Sequence, residues 1–347
     1  MSNKPLSPIS SISRGPRQSN FEALRLIAML MVLILHADFL SFGEPTADSF
    51  RANPIGESAR ILFEAMSLCA VNVFIMISGW FGIRPSVKGF SSFIFQSLFF
   101  LLGSYLTLYA LGLVDWSADN LAHIICPRSG AWFIIAYAML YIVSPLLNTY
   151  LDSASEKQLR KLIIAFFAAQ TLWGFADRGA NFQGGYSTLS FCGLYLLAGY
   201  MRRYPSARLR GRGLALYACS VIVLSGLFIL KVFKHFSTDL TSYTNPLIIM
   251  SAMGLIIKCS ETEIGSHRLL NNIAASAFAV YLLHSNDFTL FAANTPLIQS
   301  SFANGGVAMV ILAIIGVYTA AILLDRPRLW LWKRIQRLIL PDSSSSK

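Results

Sequence analysis

Apolar runs of about twenty residues recur along almost the whole chain, and that feature decides what it can fold into. About ten segments are long enough, or nearly so, to cross a bilayer at ~20 residues each. They lie at 21–42, 61–83, 90–114, 131–150, 160–176, 186–201, 213–233, 243–259, 270–292 and 304–324. The fifth and sixth are the weakest, being short and flanked by glycine. Of the 347 residues, 55% are hydrophobic and 13% charged, about half the charge of a soluble domain. An ordinary soluble enzyme of this size needs far more polar surface. Disorder, collagen-like repeats and a secreted disulfide scaffold are excluded by the same composition. In lipid each backbone polar group must be satisfied inside its own segment, so these runs are expected to be helices. The expected fold is all-α, a polytopic membrane helical bundle of about ten transmembrane helices. Residues 1–20 read as a flexible cytoplasmic tail, 21–325 as the membrane domain and 326–347 as a basic amphipathic cytoplasmic tail.

The formal net charge is +11, which raises the question of nucleic acid. The placement of the charges answers it, because no basic face is interleaved with stacking aromatics. Lys and Arg fall instead in loops between apolar runs, 22 in one alternate set and 6 in the other. Positive charge stays on the cytoplasmic side during insertion, so both termini are expected in the cytoplasm. The N-terminal stretch is not a signal peptide, since the apolar run after it is too long for one and no cleavage site follows. At the other end RPRLWLWKRIQRLIL reads as an amphipathic helix with its basic side towards anionic headgroups. The five cysteines, Cys69, Cys126, Cys192, Cys219 and Cys259, form no C-x-x-C pair and read as small buried hydrophobes. No His/Asp/Glu cluster has metal-ligand spacing, so no metal is expected.

Function in such a chain is sought among the polar residues inside apolar segments, each costing about 2.5–3.5 kcal/mol or more at mid-bilayer. In NFEALRLIAMLMVLILHADFL, Arg25 and His36 are eleven positions apart. On a helix that is ~3 turns and ~16 Å, so both share one face. Arg25 alone suits a snorkelling anchor paired with Glu22 one turn away. His36 lies past the expected midplane, either as a structural imidazole bonded to a neighbouring helix or as a chemical group. Asp38 points to another face. His284, in AFAVYLLHSNDF, falls at nearly the same expected depth, which suggests a shared polar cavity; separate satisfaction of each ring is the alternative. Tyr281 sits one turn from His284 and either donates into that cavity or packs. Asn72 and Ser78, in AVNVFIMISGWFG, can bond a substrate or a neighbouring helix, whereas Gly79 suits close helix packing. Trp132 suits an interfacial belt. Tyr137 and Tyr141 share a face that either lines a cavity or packs.

The R-x(10)-H pair followed in order by FIMISGWFG, WFIIAYAMLYIVSPLLN, LYLLAGYMRRYP and FAVYLLH resembles acyltransferase family 3. These are integral-membrane O-acyltransferases, and the nearest branch is that of bacterial surface-polysaccharide and enterobacterial-common-antigen type O-acetyltransferases. The resemblance spans roughly 20–325. It implies transfer of an acetyl or other acyl group from cytosolic acyl-CoA to a sugar hydroxyl, in the bacterial inner membrane. Acetyl-CoA would be a substrate, with no cofactor bound. The partners implied are the bilayer, acyl-CoA and a glycan or lipid-linked sugar, with no nucleic acid. His36 occupies the place of the family's catalytic histidine and Arg25 that of its first-segment arginine. The family's Arg-x-Arg motif in the third segment is missing from SVKGFSSFIFQSLFFLLGSYL, which offers only Lys88. Donor binding then falls to Arg84, Lys88 or the 202–212 cluster that opens with Arg202 and Arg203. The remaining site candidates, Asn72, Ser78, Trp132, Tyr137, Tyr141, Tyr281 and His284, would line the acceptor side.

The chemistry agrees with the residues. Acyl transfer needs a base for the hydroxyl, and imidazole titrates near neutrality. It also needs oxyanion donors and cations for the CoA phosphates. The alternative is a multi-pass transporter or flippase for a glycolipid or small anion, which predicts helices broken in matching halves; no repeat is visible. A polyprenyl-dependent glycosyltransferase would want an outer-loop acid, and nothing distinctive surrounds Asp115, Asp119 or Asp177.

Overall fold

A computed structural model describes residues 18–125, 132–177, 181–234, 236–286 and 294–339. The tail to residue 17, Cys126, Arg128, Arg178, the end of the 270–292 segment and the stretch from 340 onward lie outside these residues. Every regular element among the described residues is helical. In chain order they are α1 (Ser19–Ala37), α2 (Phe39–Phe42), α3 (Ala47–Ala52), α4 (Pro54–Ser67), α5 (Ala70–Phe81), α6 (Val87–Ala110), α7 (Ala118–Ile125) and α8 (Trp132–Ser153). After these come α9 (Glu156–Ala169), α10 (Thr188–Arg203), α11 (Gly213–Lys234), α12 (Pro246–Ser260), α13 (Arg268–Ala274), α14 (Ala277–His284) and α15 (Thr295–Ile339).

The helix starts are written locally. Asn53 and Asn245 cap α4 and α12, each with proline as the next residue, a position where the missing N–H costs nothing. Ser155 and Gln158 close a capping box on α9.

Seven helices among the described residues are long and apolar enough to cross a membrane: Ser19–Phe42, Pro54–Phe81, Val87–Ala110, Trp132–Ser153, Glu156–Ala176, Gly213–Lys234 and Thr295–Leu338. The other three expected segments are shorter. The 186–201 segment is the 16-residue α10 and the 243–259 segment the 15-residue α12. The 270–292 segment opens as two short helices, α13 and α14. A 16-residue helix spans about 24 Å, less than the ~30 Å hydrocarbon layer. Nine of the sixteen residues of α10 are buried inside the protein, where length need not match the lipid.

The chain forms two compact units. The first holds residues up to Arg84 together with Met139–Ala274, and the second Pro85–Ala138 together with the part from Ala275. In the first, α10 packs on α5, α11 on α12, and α1 lies against α4, α5, α12 and α13. Small residues set the closest crossings. A Cβ on Gly79 would stand 2.3 Å from the carbonyl oxygen of Tyr195. Cβ atoms on Gly213 and Gly254 would each meet the other's carbonyl oxygen at 2.6 Å. Gly79→Ala must therefore push α5 from α10. It is expected to destabilise by about 1–3 kcal/mol, read as a fall in thermal midpoint in detergent. An unchanged midpoint contradicts the close crossing.

In the second unit α14 packs on α6 and α15. Pro327 does not end α15, which runs on to Ile339 with one break at Gly305–Gly306. Beyond Pro327, Trp332 stacks on Phe95 of α6 at 5.1 Å, and Arg334 lies over the Trp330 ring at 4.3 Å. The basic tail thus extends the last span as one helix. Cys69 and Cys259 are buried as expected, but Cys192 is half-buried and Cys219 exposed on α11. At lipid-facing positions a small apolar side chain needs no protein cover.

Candidate active site

α1 is unbroken from Ser19 to Ala37, so Arg25 and His36 do lie on one helix, about 16 Å apart by helix rise. Its first turn is anchored on three sides. Ser19 Oγ donates to Asn271 Oδ1 at 2.9 Å and accepts from the His267 amide at 2.8 Å. Asn20 Nδ2 donates to the carbonyl of Cys259 at 2.9 Å. Phe21 packs on Trp80 and Phe81 with ring centroids 5.5 and 5.0 Å apart. Arg25 makes the Glu22 ion pair at 2.6 Å. It is a held cation, one-third exposed.

Three arginines of the first unit belong to this same end. Arg202 donates to the carbonyl of Trp80 at 2.7 Å. Arg203 pairs with Asp152 at 2.6 Å. Arg84 is exposed, and both Arg84 and Arg203 repel the Arg202 guanidinium electrostatically. The surrounding backbone is pinned. The Ile83 amide donates to Tyr195 Oη at 2.7 Å, Asn148 Nδ2 donates to the Ile83 carbonyl at 2.8 Å, and Tyr195 Oη donates to Asn148 Oδ1 at 2.6 Å. Three guanidinium groups thus gather on a pinned frame, a set of cations that suits a phosphate-bearing ligand.

His36 is half-buried in the last turn of α1. Ser41 Oγ donates to its backbone carbonyl at 2.6 Å. The helix dipole is negative at this end, which favours an imidazolium formed during proton transfer. Asp38 turns away to Arg60, bonded at 2.6 Å. Asn72 is 1% exposed; its Nδ2 donates to the carbonyl of Tyr243 at 3.1 Å, and its Oδ1 is buried with no hydrogen bond among the described residues. Ser78 Oγ bonds back to the carbonyl of Phe74 at 3.1 Å. Tyr141 is half-buried on the part of α8 belonging to this unit.

Lys88, Trp132, Tyr137, Tyr281 and His284 belong to the second unit. Lys88 is exposed at the start of α6. Trp132 is edge-on to Phe133 at 5.7 Å. Phe133 stacks on Tyr137 at 5.8 Å and meets Tyr281 at 5.2 Å. Tyr281 is edge-on to His284 at 6.4 Å. His284 Nδ1 lies 2.5 Å from the carbonyl of Val280. A carbonyl only accepts, so Nδ1 carries the proton and Nε2 presents the lone pair.

Among the buried acids that escaped the sequence reading are Glu64 and Asp325. Glu64 is 3% exposed and Asp325 fully buried. The signal was present in both cases, as a carboxylate four residues into the second apolar segment and one at the end of the membrane domain.

Comparison with known families bears on what this arrangement does. The family model described as an acyltransferase domain, that of acyltransferase family 3, matches residues 18–326. The chain belongs to this family. The match takes in α1 with both Arg25 and His36 and ends one residue past Asp325. No curated protein and no solved structure matches. Family membership and the apolar helices together make this a membrane acyltransferase of the multi-pass kind.

Proposed function

We propose that this acyltransferase moves an acetyl or other short acyl group from acyl-CoA to a sugar hydroxyl of a cell-surface polysaccharide or its lipid-linked precursor. The observation that carries the reading is the layout of the first unit. One helix bears an imidazole about 16 Å by helix rise from Arg25, and Arg84, Arg202 and Arg203 gather towards the Arg25 end of that helix. An extended pantetheine arm has comparable reach, so the arginines take the CoA phosphates and the thioester lies towards His36. The hydroxyl oxygen attacks the thioester carbonyl, His36 takes the hydroxyl proton, the C–S bond breaks and the thiolate leaves to be protonated. Asn72 Oδ1 is a buried acceptor suited to a sugar hydroxyl. The positive-inside split supports an arginine end in the cytosol, where acyl-CoA is made, and the resemblance to the bacterial surface-polysaccharide branch supports a bacterial cell membrane.

Acyl transfer liberates a thiol, and transport does not. Purified protein in vesicles with acetyl-CoA and a glycan acceptor is expected to release free CoA in step with acceptor modified. Import of label without thiol release favours a transporter. Arg84→Ala is expected to raise the acyl-CoA KM about 10-fold, with kcat within about 3-fold, from loss of a charge-assisted contact made equally in ground and transition states. An unchanged KM removes Arg84 from donor binding.

A further inference from the structure

The chain leaves α1 just past His36 and runs into a loop that meets the last turns of α11. A cavity of about 390 Å³ lies there, within the ~300–1,000 Å³ typical of small-molecule sites. Its lining includes Glu44 and Thr46 from the loop, Ile61 from α4, Phe228 and Lys231 from α11, and Phe236 just beyond. All belong to the first unit. Phe39 follows His36 by three residues, so their Cα atoms are within about 11 Å of each other. The Phe39 ring stands edge-on to that of Phe228 at 5.7 Å. The cavity wall and the imidazole thus belong to the same end of α1.

The space has fixed walls. Arg60 lies over the Phe39 ring at 5.8 Å, and its Nη2 donates to the carbonyl of Gly43 at 2.7 Å, which pins the residue before Glu44. Thr46 and Ser49 close a capping box at the start of α3. Phe50 of α3 meets Phe233 of α11 edge-on at 5.4 Å. Protein interiors are otherwise close-packed, so a void of this size in such a frame is built for an occupant. Its deep side is apolar, with Ile61 fully buried and Phe228 3% exposed. Its rim is charged. Lys231 Nζ lies 2.9 Å from Glu44 Oε2, with side chains 23% and 44% exposed. A pair this open adds little stability. It does set a carboxylate acceptor and an ammonium donor side by side above an aromatic wall. A sugar ring is the complement of that arrangement, with C–H groups that pack on an aromatic face and hydroxyls that both donate and accept.

We propose that this cavity is a subsite for the acceptor glycan: it takes one sugar ring, the C–H face on the aromatic wall and the hydroxyls on Glu44 and Lys231, and so brings the neighbouring part of the glycan to His36. The proposal rests on the acyl-transfer reading above. Its test uses the purified full chain in detergent with acetyl-CoA and water-soluble surface glycan taken from cells lacking this protein. Glu44→Ala and Lys231→Ala are each expected to raise the KM for that glycan about 10-fold, from loss of a hydrogen bond to a charged group. The acyl-CoA KM should stay within about 2-fold, a split that general misfolding does not give. A second readout needs no turnover. Residue 47 borders the same cavity, so Ala47→Cys puts a thiol there. Glycan at about ten times its Kd is expected to slow maleimide modification of that thiol about 10-fold, as the empty fraction falls. Mass spectrometry of the peptide carrying residue 47 reads it. Wild-type transfer with an unchanged glycan KM in both alanine variants overturns the proposal alone. So does protection of Ala47→Cys by phosphatidylethanolamine and not by the glycan, which gives the cavity to a lipid headgroup. A wild type that transfers nothing sinks the acyl-transfer reading itself; the sugar site then stands or falls on whether the glycan protects Ala47→Cys.

Discussion

His36→Ala is expected to lower acyl transfer by at least about 100-fold while the protein inserts and purifies as the wild type does. A positioned general base contributes about 10²–10⁴-fold, and a histidine that carries the acyl group itself would leave nothing behind when removed. The structure separates this loss from misfolding. His36 is half-buried, and the hydrogen bond it accepts from Ser41 runs through its backbone carbonyl, which alanine keeps. Donor binding should survive as well, because the anchored first turn of α1, at the end where Arg84, Arg202 and Arg203 gather, lies about 21–26 Å of helix rise from His36. The expected pattern is a collapsed kcat with a near-normal acyl-CoA KM. Near-wild-type kcat in a well-folded variant moves catalysis elsewhere, and His284, with Nε2 presenting a lone pair, is the next residue to replace.

The largest expected stability effect lies in the second unit. Asp325 is fully buried and Arg328 3% exposed. Arg328 Nη2 and Nε reach Asp325 Oδ1 at 2.6 and 2.8 Å, Ser276 Oγ donates to Oδ2 at 2.7 Å, and Gln96 Nε2 donates to Oδ1 at 3.4 Å. One carboxylate thus joins the start of α14, the middle of α6 and the end of the α15 span. Asp325→Ala strands a buried guanidinium, and breaking such a pair costs about 3–5 kcal/mol. Replacing both Asp325 and Arg328 by leucine removes the stranded charge, so the double variant is expected to recover most of that loss. Thermal unfolding in detergent checks both. A single variant within about 1 kcal/mol of wild type contradicts the account of this network.

Much of the fold was legible because lipid leaves so few options. Hydrophobic length alone marks Ser19–Phe42, Val87–Ala110 and Gly213–Lys234 within a few residues. It misjudges the elements that need no lipid match. α10 is short because protein surrounds it, and α13 and α14 divide one apolar run at Ser276, whose hydroxyl serves Asp325. Arg25 and His36 were visible because their spacing is a property of one helix. Glu64 was not, although a carboxylate in an apolar run is a plain signal. Arg202 is a similar case: the sequence shows a basic loop, and only the fold brings its guanidinium to the carbonyl of Trp80.

The most direct test of acyl transfer to a glycan uses membranes from cells lacking this protein, with and without the restored wild type. Radiolabelled acetyl-CoA is supplied, and alkali-labile label is counted in the glycan and lipid-linked fractions. The account predicts label that appears only with the protein and is released by mild alkali as the free acid. No protein-dependent label from acetyl-CoA, and none from succinyl-CoA in the same membranes, would contradict it.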